Sequence, residues 1–516
     1  MIIWKGKSFF QIIRKCANGL STFLFAMIIL NFVFASKRSD KQLLSHFATM
    51  VVAILLFAIV LGIHKRLRRV KLAKRHRHNP WLVLTMTLYG AMLYIFANIY
   101  YKSGSDLWTV DYTARILVNS EPYIDWCGSY YSMYPNNIML TVLYSLGLRI
   151  NTLFGILDSD NSLFIFVAEN CLISCITMVL VAKILYRLTN DSFTAGVGTV
   201  ISVCYFCLNP YNVWPYSDPF SLWIPVSIVA IFVLIDNPYI KCGLLTALSI
   251  FSFQIKPQNS IPVIALVCVA FVLIDKLAQR EYQRANIVKC LCSIFVCGII
   301  TLYGVNIVED YFCSKIPVDE TKALPFTHWT MMGLNRDARG GWSEDDVHFS
   351  SSIEDPKERT RATIDVAKER LSEMGVIGYL EFLWIKLNKL CNNGVLDYSS
   401  STGDWYDVVY PAKNEFAAPL LRSFFYYDGD HYPIYYTAMN ILWAFLIIIC
   451  LMASIVNFRE NDPIQFWLGI SILELFLFEL LFEAQARHLY SSIPLFVLYG
   501  TFGMYRIFAS GNRCAN

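Results

Sequence analysis

Four short stretches of the 516-residue chain place acids or bases at the edges of apolar blocks. The first, SGSDLWTVDYTARILVNSEPYIDW, carries Asp106 and then Asp111. The spacing from Leu107 to Val118 predicts a short helix with Ser105 or Asp106 near its N-cap. A carboxylate there can cap the helix. At a membrane–water boundary it can also act as a general base that takes a proton from a hydroxyl. The residue types leave both roles open. The second stretch, NVWPYSDPFSLW, sets Asp218 before Pro219, again a common helix start. The third, QIKP, closes an apolar block with Lys256, and the fourth holds Glu479, Glu483, Arg487 and His488. A single Lys at such an edge commonly snorkels, and an Arg-His pair can simply end a span. Together the four supply carboxylates (Asp106, Asp218) and cations (Lys256, Arg487, His488). A base for a hydroxyl and cations for a departing phosphate need this mixture.

A long acidic stretch adds PFTHWTMMGLNRDARGGWSEDDVHFS from Pro325. His328, Trp329, Asn335 and the Gly340-Gly341 turn read either as a shaped sugar-binding loop or as a structural plug. Aromatic faces beside polar groups suit the C–H faces of sugar rings. Asp345, Asp346 and His348 form a D-D-x-H run that offers ligands for a divalent metal but is too short to assign one by itself, so no cofactor is firmly assigned. Glu169 and Glu474 lie inside apolar blocks. An acid in a bilayer is costly and marks either function or an interhelical hydrogen bond. The cysteines at C-x-C and C-x-x-C spacing sit in apolar runs without His partners and read as small hydrophobes.

These residues must be positioned by membrane helices. Hydrophobic residues make up 56% of the chain and charged residues only 16%, against about 25% charged in an average soluble domain. That balance excludes a soluble, secreted, disordered or nucleic-acid-binding protein. The pattern predicts an all-α polytopic membrane protein with twelve spans near 18–35, 47–63, 81–99, 163–186, 194–209, 220–236, 241–255, 259–275, 290–308, 436–457, 464–482 and 488–508. From His64 to His78 there are eight Lys or Arg and no acid, whereas Glu309 to Pro433 holds 21 acids against 13 Lys or Arg. Short basic loops stay in the cytoplasm and long acidic ones can be translocated. The expected topology therefore has both termini inside and two large outer regions, 100–162 and 309–435. Lys37, Arg38 and Lys41 run against this and make the first hairpin the least secure placement. The apolar segment 135–157 would invert everything downstream if it spanned, so it reads as an interfacial helix. Amphipathic helices are expected over 356–390, and residues 397–435, rich in Tyr and Asp, are expected to cover an acceptor.

In the order of these motifs the chain resembles the GT-C class of polytopic glycosyltransferases, including protein mannosyltransferases and the bacterial aminoarabinose transferase of lipid A. The matching positions are Asp106 and its helix to the Ser120 turn, Tyr134-Pro135 opening a surface helix, and Asp218-Pro219-Phe220. Lys256 after the next hairpin follows, then Glu483, Arg487, His488 and Pro494. Glu121 departs from the Gly usual after the turn. The resemblance covers about 81–310 and 436–508. It implies a GT-C-like core at 81–310, with the N-terminal hairpin and basic loop at 1–80, the outer region at 309–435 and the C-terminal spans at 436–516. It further implies a glycosyltransferase in a bacterial cell membrane that moves a sugar from a polyprenyl-phosphate donor to a glycan, lipid or protein acceptor on the outer face, with inversion. Asp106 would be the base, with Asp218 and Asp111 as second acids that position substrate. Lys256, Arg487 and His488 would hold the donor phosphate, and Tyr134, His328, Trp329 and Asn335 the sugar or acceptor. Two other classes compete: a transporter or flippase of lipid-linked sugars, and a non-catalytic scaffold of a wall-polymer complex. A transporter should gather its charges near the midplane in repeated halves, and no repeat is evident here.

Overall fold

The computed structural model describes residues 2–35, 39–69, 80–102, 104–119, 123–155, 163–272, 284–398, 408–409, 413–460 and 462–510. Ser120, Glu121, Lys37, Arg38 and residues 70–78 of the basic run lie outside the described residues. Among the described residues eight helical segments are long and apolar enough to cross a bilayer: Gln11–Phe34, His46–Arg66, Leu163–Thr189, Ser217–Leu234, Pro238–Ile255, Ile287–Cys313, Tyr432–Glu460 and Pro463–Leu481. Shorter apolar helices occupy Leu82–Ala97, Ser192–Cys207 and Pro257–Ala270. The chain is an all-α polytopic membrane protein.

The helices are α1 (Ile2–Leu30), α2 (His46–Arg69), α3 (Pro80–Ala97), α4 (Ser105–Asn119), α5 (Asp125–Met133), α6 (Ile138–Phe154), α7 (Leu163–Thr189) and α8 (Ser192–Ser202). Next come α9 (Ser217–Phe220), α10 (Trp223–Leu234), α11 (Pro238–Ile255), α12 (Ile261–Val272) and α13 (Arg284–Cys313). The rest are α14 (Phe326–Gly333), α15 (Glu344–Ser351), α16 (Pro356–Cys391), α17 (Ala417–Phe425), α18 (Tyr432–Glu460), α19 (Pro463–Leu481) and α20 (Ile493–Ser510). Their starts are written locally. Asn237, Asp355 and Asp462 each accept backbone N–H bonds at the head of α11, α16 and α19, and a Pro follows each. Those side chains satisfy donors that a helix start leaves open.

The bundle core lies where α18 and α20 pack on each other and on α1 and α7. Trp443, Phe445, Phe496 and Tyr499 are buried there, and Phe25 of α1 stacks on Tyr499 with centroids 5.7 Å apart. A buried amide pair, Asn457 to Asn18 at 2.9 Å, ties α18 to α1. By contrast α13 packs chiefly on α11 and leaves Phe295 and Ile300 exposed, as suits a helix facing lipid.

Two polar assemblies sit between spans. The first is α4–α6. Helix α6 buries Tyr144 and Leu148 against the bundle and exposes Leu146, Ile150 and Leu153. It is 17 residues long and is not one of the eight span-length segments. The second assembly, here called the cap, is built from α14, α15 and α16 around a small core of Met331, Leu334, Ala367, Met374 and Phe382. A two-residue antiparallel pair, β1 (Tyr101–Lys102) with β2 (Val408–Val409), joins two otherwise distant loops. The expected last span, 488–508, starts later than its apolar content suggested. Residues Ala486–Ser492 coil as a 3-10 turn, and α20 begins at Ile493.

Candidate functional site

Each of four residues comes from the end of a helix. Asp106 lies in the first turn of α4 and Asp218 in α9, the single turn that leads into α10. Lys256 ends α11, where Pro257 forbids another helical turn without loss of its hydrogen bond. Arg487 stands in the 3-10 turn between α19 and α20. The fold brings these ends together.

Asp218 is buried, and its carboxylate pairs with Lys256 Nζ and, at 3.5 Å, with Arg487 Nη1. Arg487 lies across the ring of Tyr216, 5.3 Å from its centroid. The Tyr216 hydroxyl donates to Asp106 Oδ2 at 3.0 Å. The result is a continuous chain, Asp106, Tyr216, Arg487, Asp218 and Lys256, in which a half-buried carboxylate is joined through a partly exposed Arg487 to the buried Asp218–Lys256 pair. Burial, then the Asp106 charge, pushes the Tyr216 hydroxyl well above its ordinary pKa. It therefore stays a neutral donor. Burial works against the Arg487 charge, but Asp218, Tyr216, Asp106 and Glu483 outweigh it and hold the guanidinium above its ordinary pKa. The Arg487 side chain keeps 22% exposure, and its contact to Asp218 is long. It can turn toward an anion. Lys256, tightly engaged with Asp218 and buried, is placed to hold Asp218 rather than to meet a ligand.

Two more tyrosines face the Asp106 charge. Tyr130 accepts from Asn137 at 2.8 Å, and burial followed by Asp106 raises its pKa well above the usual range. Tyr134, which ends α5, is pushed up to about 12 by burial, Asp106 and Glu483. Its ring lies 6.1 Å from that of Trp329, so Trp329 and Tyr134 border the Asp106 side.

The other expected site residues are turned elsewhere. Five positions along a helix rotate a side chain by roughly 140°, so Asp111 faces away from Asp106. It is buried in a bidentate pair with Arg115, at 2.9 and 2.7 Å. His488 pairs with buried Glu479 at 3.1 Å, while its backbone carbonyl accepts from Gln258. His328 and Asn335 pack within the cap. His328 is fully buried in the cap, with Nδ1 2.7 Å from Ser350 Oγ, and burial lowers its pKa to about 4. Asn335 bonds to Asp346 at 3.0 Å and accepts from the Ala338 N–H. Both brace the cap, which is the plug alternative for these residues. Asp346 is also clamped by Arg370 at 2.6 and 3.0 Å. His348 lies exposed beside Glu344. Among the described residues no three His, Cys, Asp or Glu side chains gather as a metal site would require.

Several contributors carried no sequence signal of their own. Tyr216 is one of 30 tyrosines and stands out only once Asp106 is found beside it. Lys386 is buried and donates to the carbonyls of Gly333 (2.8 Å), Leu480 (2.7 Å) and Phe482 (2.7 Å), fastening the cap to the end of α19. The Gly340-Gly341 turn completes that seam. The Ala484 N–H bonds Gly340 O at 2.7 Å, and Gly340 takes φ +70°. A Cβ on Gly341 would strike Lys389 Nζ. Leu396 and Asp397 both adopt positive φ, +54° and +60°, a strained conformation for non-glycine residues. Asp397 bonds to Asn393 at 3.0 Å and takes a backbone hydrogen bond from Ala486, and burial raises its pKa. This turn thus supports the backbone next to Arg487.

A family model described as "conserved hypothetical integral membrane protein" matches residues 9–507. The chain belongs to that family. No curated protein and no solved structure matches it. The family's description agrees with the architecture above and is silent on chemistry.

Proposed function

We propose that this membrane protein is a glycosyltransferase of GT-C type that transfers a sugar from a polyprenyl-phosphate donor to an acceptor hydroxyl. The observation that supports it most is the juxtaposition of Asp106 and Arg487 across Tyr216, where apolar spans end. A proton acceptor and a partly exposed guanidinium are then close together, at the depth where a lipid-linked phosphate would lie. Asp106 takes the acceptor proton as the hydroxyl oxygen attacks the anomeric carbon. The bond from that carbon to the phosphate oxygen breaks, and its electron pair leaves with the phosphate. Arg487 receives the growing charge. Displacement from one side inverts the anomeric centre. Asp218 and Lys256 hold Arg487 in place, and Tyr216 orients the Asp106 carboxylate. Tyr134 and Trp329 offer aromatic faces for a sugar or acceptor. The site end is taken as extracytoplasmic because the net-acidic stretch 309–398 lies there and Lys65, Arg66, Arg68 and Arg69 close the far end of α2.

The test is transfer from a labelled polyprenyl-phosphate sugar in membranes. Asp106→Asn keeps the size and the Tyr216 hydrogen bond but cannot take a proton, and should slow transfer by roughly 100-fold or more with folding intact. Near-normal transfer in that variant would remove Asp106 as the base. Transport of lipid-linked sugars is the second reading. It is favoured by Glu169 and Glu474, carboxyls within spans, each with a buried Oε2 that finds no hydrogen-bond partner among the described residues. It predicts translocation of the donor that survives Asp106→Asn.

A further inference from the structure

Helix α16 is interrupted at Gly375, which takes φ +57° and ψ −175°. Before it the helix is polar, with Arg361, Asp365, Lys368 and Glu369 along it. After it the chain opens with apolar side chains that contact little: Val376 is 80% exposed, Ile377 76% and Leu380 61%. They occupy one side of the first turn past the break. Val376 and Leu380, with Leu371 and Tyr379, border a shallow hollow of about 300 Å³. In water this elbow would be a liability, because nothing among the described residues covers it.

The same half-helix is fastened at the level where spans end. The Trp384 carbonyl accepts from Asn31 Nδ2 at 3.0 Å, and Asn388 Nδ2 donates to Asn31 Oδ1 at 2.8 Å. Asn31 lies near the end of the span Gln11–Phe34, whose Phe34 is itself exposed. Lys386 bonds carbonyls at the end of Pro463–Leu481. A different segment repeats the arrangement. Phe416 and Leu420, at α17, are exposed, while Arg422 of α17 bonds the Asn98 carbonyl at the end of α3 (2.9 Å). Apolar tips beside the ends of several spans fit a bilayer surface, whereas a protein partner would ask for one contiguous patch.

We infer that the elbow Leu371–Leu380 is an interfacial anchor, with Val376, Ile377 and Leu380 seated among the acyl chains of the leaflet at the cap end. A helix break lets the polar half stay in water while the apolar half lies along the membrane. The anchor then fixes the height of the cap, and through Lys386 the height of the turn that carries Arg487, relative to the lipid headgroups.

The experiment uses the full chain in phosphatidylcholine vesicles, with a genetically encoded dansyl amino acid at Ile377, at Leu380, or at Ser352 of the same cap. Brominated phosphatidylcholine quenches from the acyl region and iodide from water. Folding of each variant is checked by gel filtration in detergent. The expected result is blue-shifted emission at Ile377 and Leu380, quenched by brominated lipid and at least fivefold less by iodide than the Ser352 probe. Iodide quenching at Ile377 and Leu380 equal to that at Ser352 would overturn the inference. So would shielding from both quenchers, which would mean that a second copy or another protein covers the elbow.

Discussion

The ion triad of Asp218, Lys256 and Arg487 allows a calculation that separates structural from chemical roles. Asp218 is 1% exposed and Lys256 7%, so neither charge has water to fall back on. Lys256→Met keeps the apolar stem and removes the ammonium, which leaves Asp218 only the 3.5 Å contact to Arg487. Breaking one side of a buried pair costs about 3–5 kcal/mol, because the remaining charge stays buried without compensation. Asp218→Asn should cost a similar amount by stranding Lys256. The double variant removes both charges, and a buried pair replaced by neutral groups of like size is often close to neutral in stability. A double-mutant cycle should therefore show the two losses failing to add by several kcal/mol.

Stability in mild detergent, ranked by denaturant midpoint, gives the first readout. The expected order is parent first, the double variant somewhat below it because Arg487 loses its long contact to Asp218, and both single variants well below. Transfer activity of the folded fraction gives the second. In the double variant Arg487 loses its ionic tie to Asp218, so folding returns while transfer stays low. Additive losses would show that the two charges do not support one another, and the triad argument would fail. Recovery of both folding and transfer would mean that the pair is structural only, and that the phosphate site must be sought away from this corner.

Four further outcomes follow from the geometry. Tyr216→Phe frees the Asp106 carboxylate from its orienting hydrogen bond, so transfer by the folded protein should drop roughly 10- to 150-fold, a larger effect than the lowering of its thermal midpoint by the loss of about 1.5–3 kcal/mol. Asp111→Asn should do the reverse, lowering stability by about 1–3 kcal/mol through loss of the bidentate bond to Arg115 with little change in turnover per folded molecule. His328, held near pKa 4 by burial against 6.5 when unfolded, binds its proton more readily in the unfolded cap. Cap stability should be flat above pH 6.5 and fall as pH drops toward 4, by up to about 1.4 kcal/mol per unit. Hydrogen exchange over residues 326–333 reads it, and His328→Gln should flatten that slope. Gly333→Ala brings a Cβ to 2.5 Å from Phe482 O, so the seam between cap and α19 should open, seen as faster exchange at 482–484.

What could be seen in the sequence follows from how far each signal reaches along the chain. A span announces itself by about 20 apolar neighbours, so the eight span-length segments were legible from local composition alone. Their ends were less so. The expected last span took in residues 488–492, yet Ala486–Ser492 coil as a 3-10 turn and set Arg487 against Asp218. The candidate site was partly legible because a charged residue at the edge of an apolar run is locally conspicuous, as with Asp106, Asp218, Lys256 and Arg487. Which charge pairs with which is not local. Lys256 meets Asp218 across 38 positions and Arg487 meets it across 269, distances over which composition says nothing. The same limit explains His328 and Asn335. In a long polar loop, a ligand for a sugar and a brace for a cap have the same residue types. Only the contacts with Ser350 and Asp346, 22 and 11 positions away, tell them apart. Tyr216 shows the converse. It lies two residues from an aspartate that was already singled out, but a tyrosine among aromatics reads as packing. Its hydroxyl gains chemical meaning only when a helix start 110 positions earlier delivers Asp106 to it. Proximity in the fold, and not residue type, makes the site. Substitutions that keep type but disturb the helix ends, at Pro219 or Pro257, should therefore harm transfer as much as changes to the charged side chains they position.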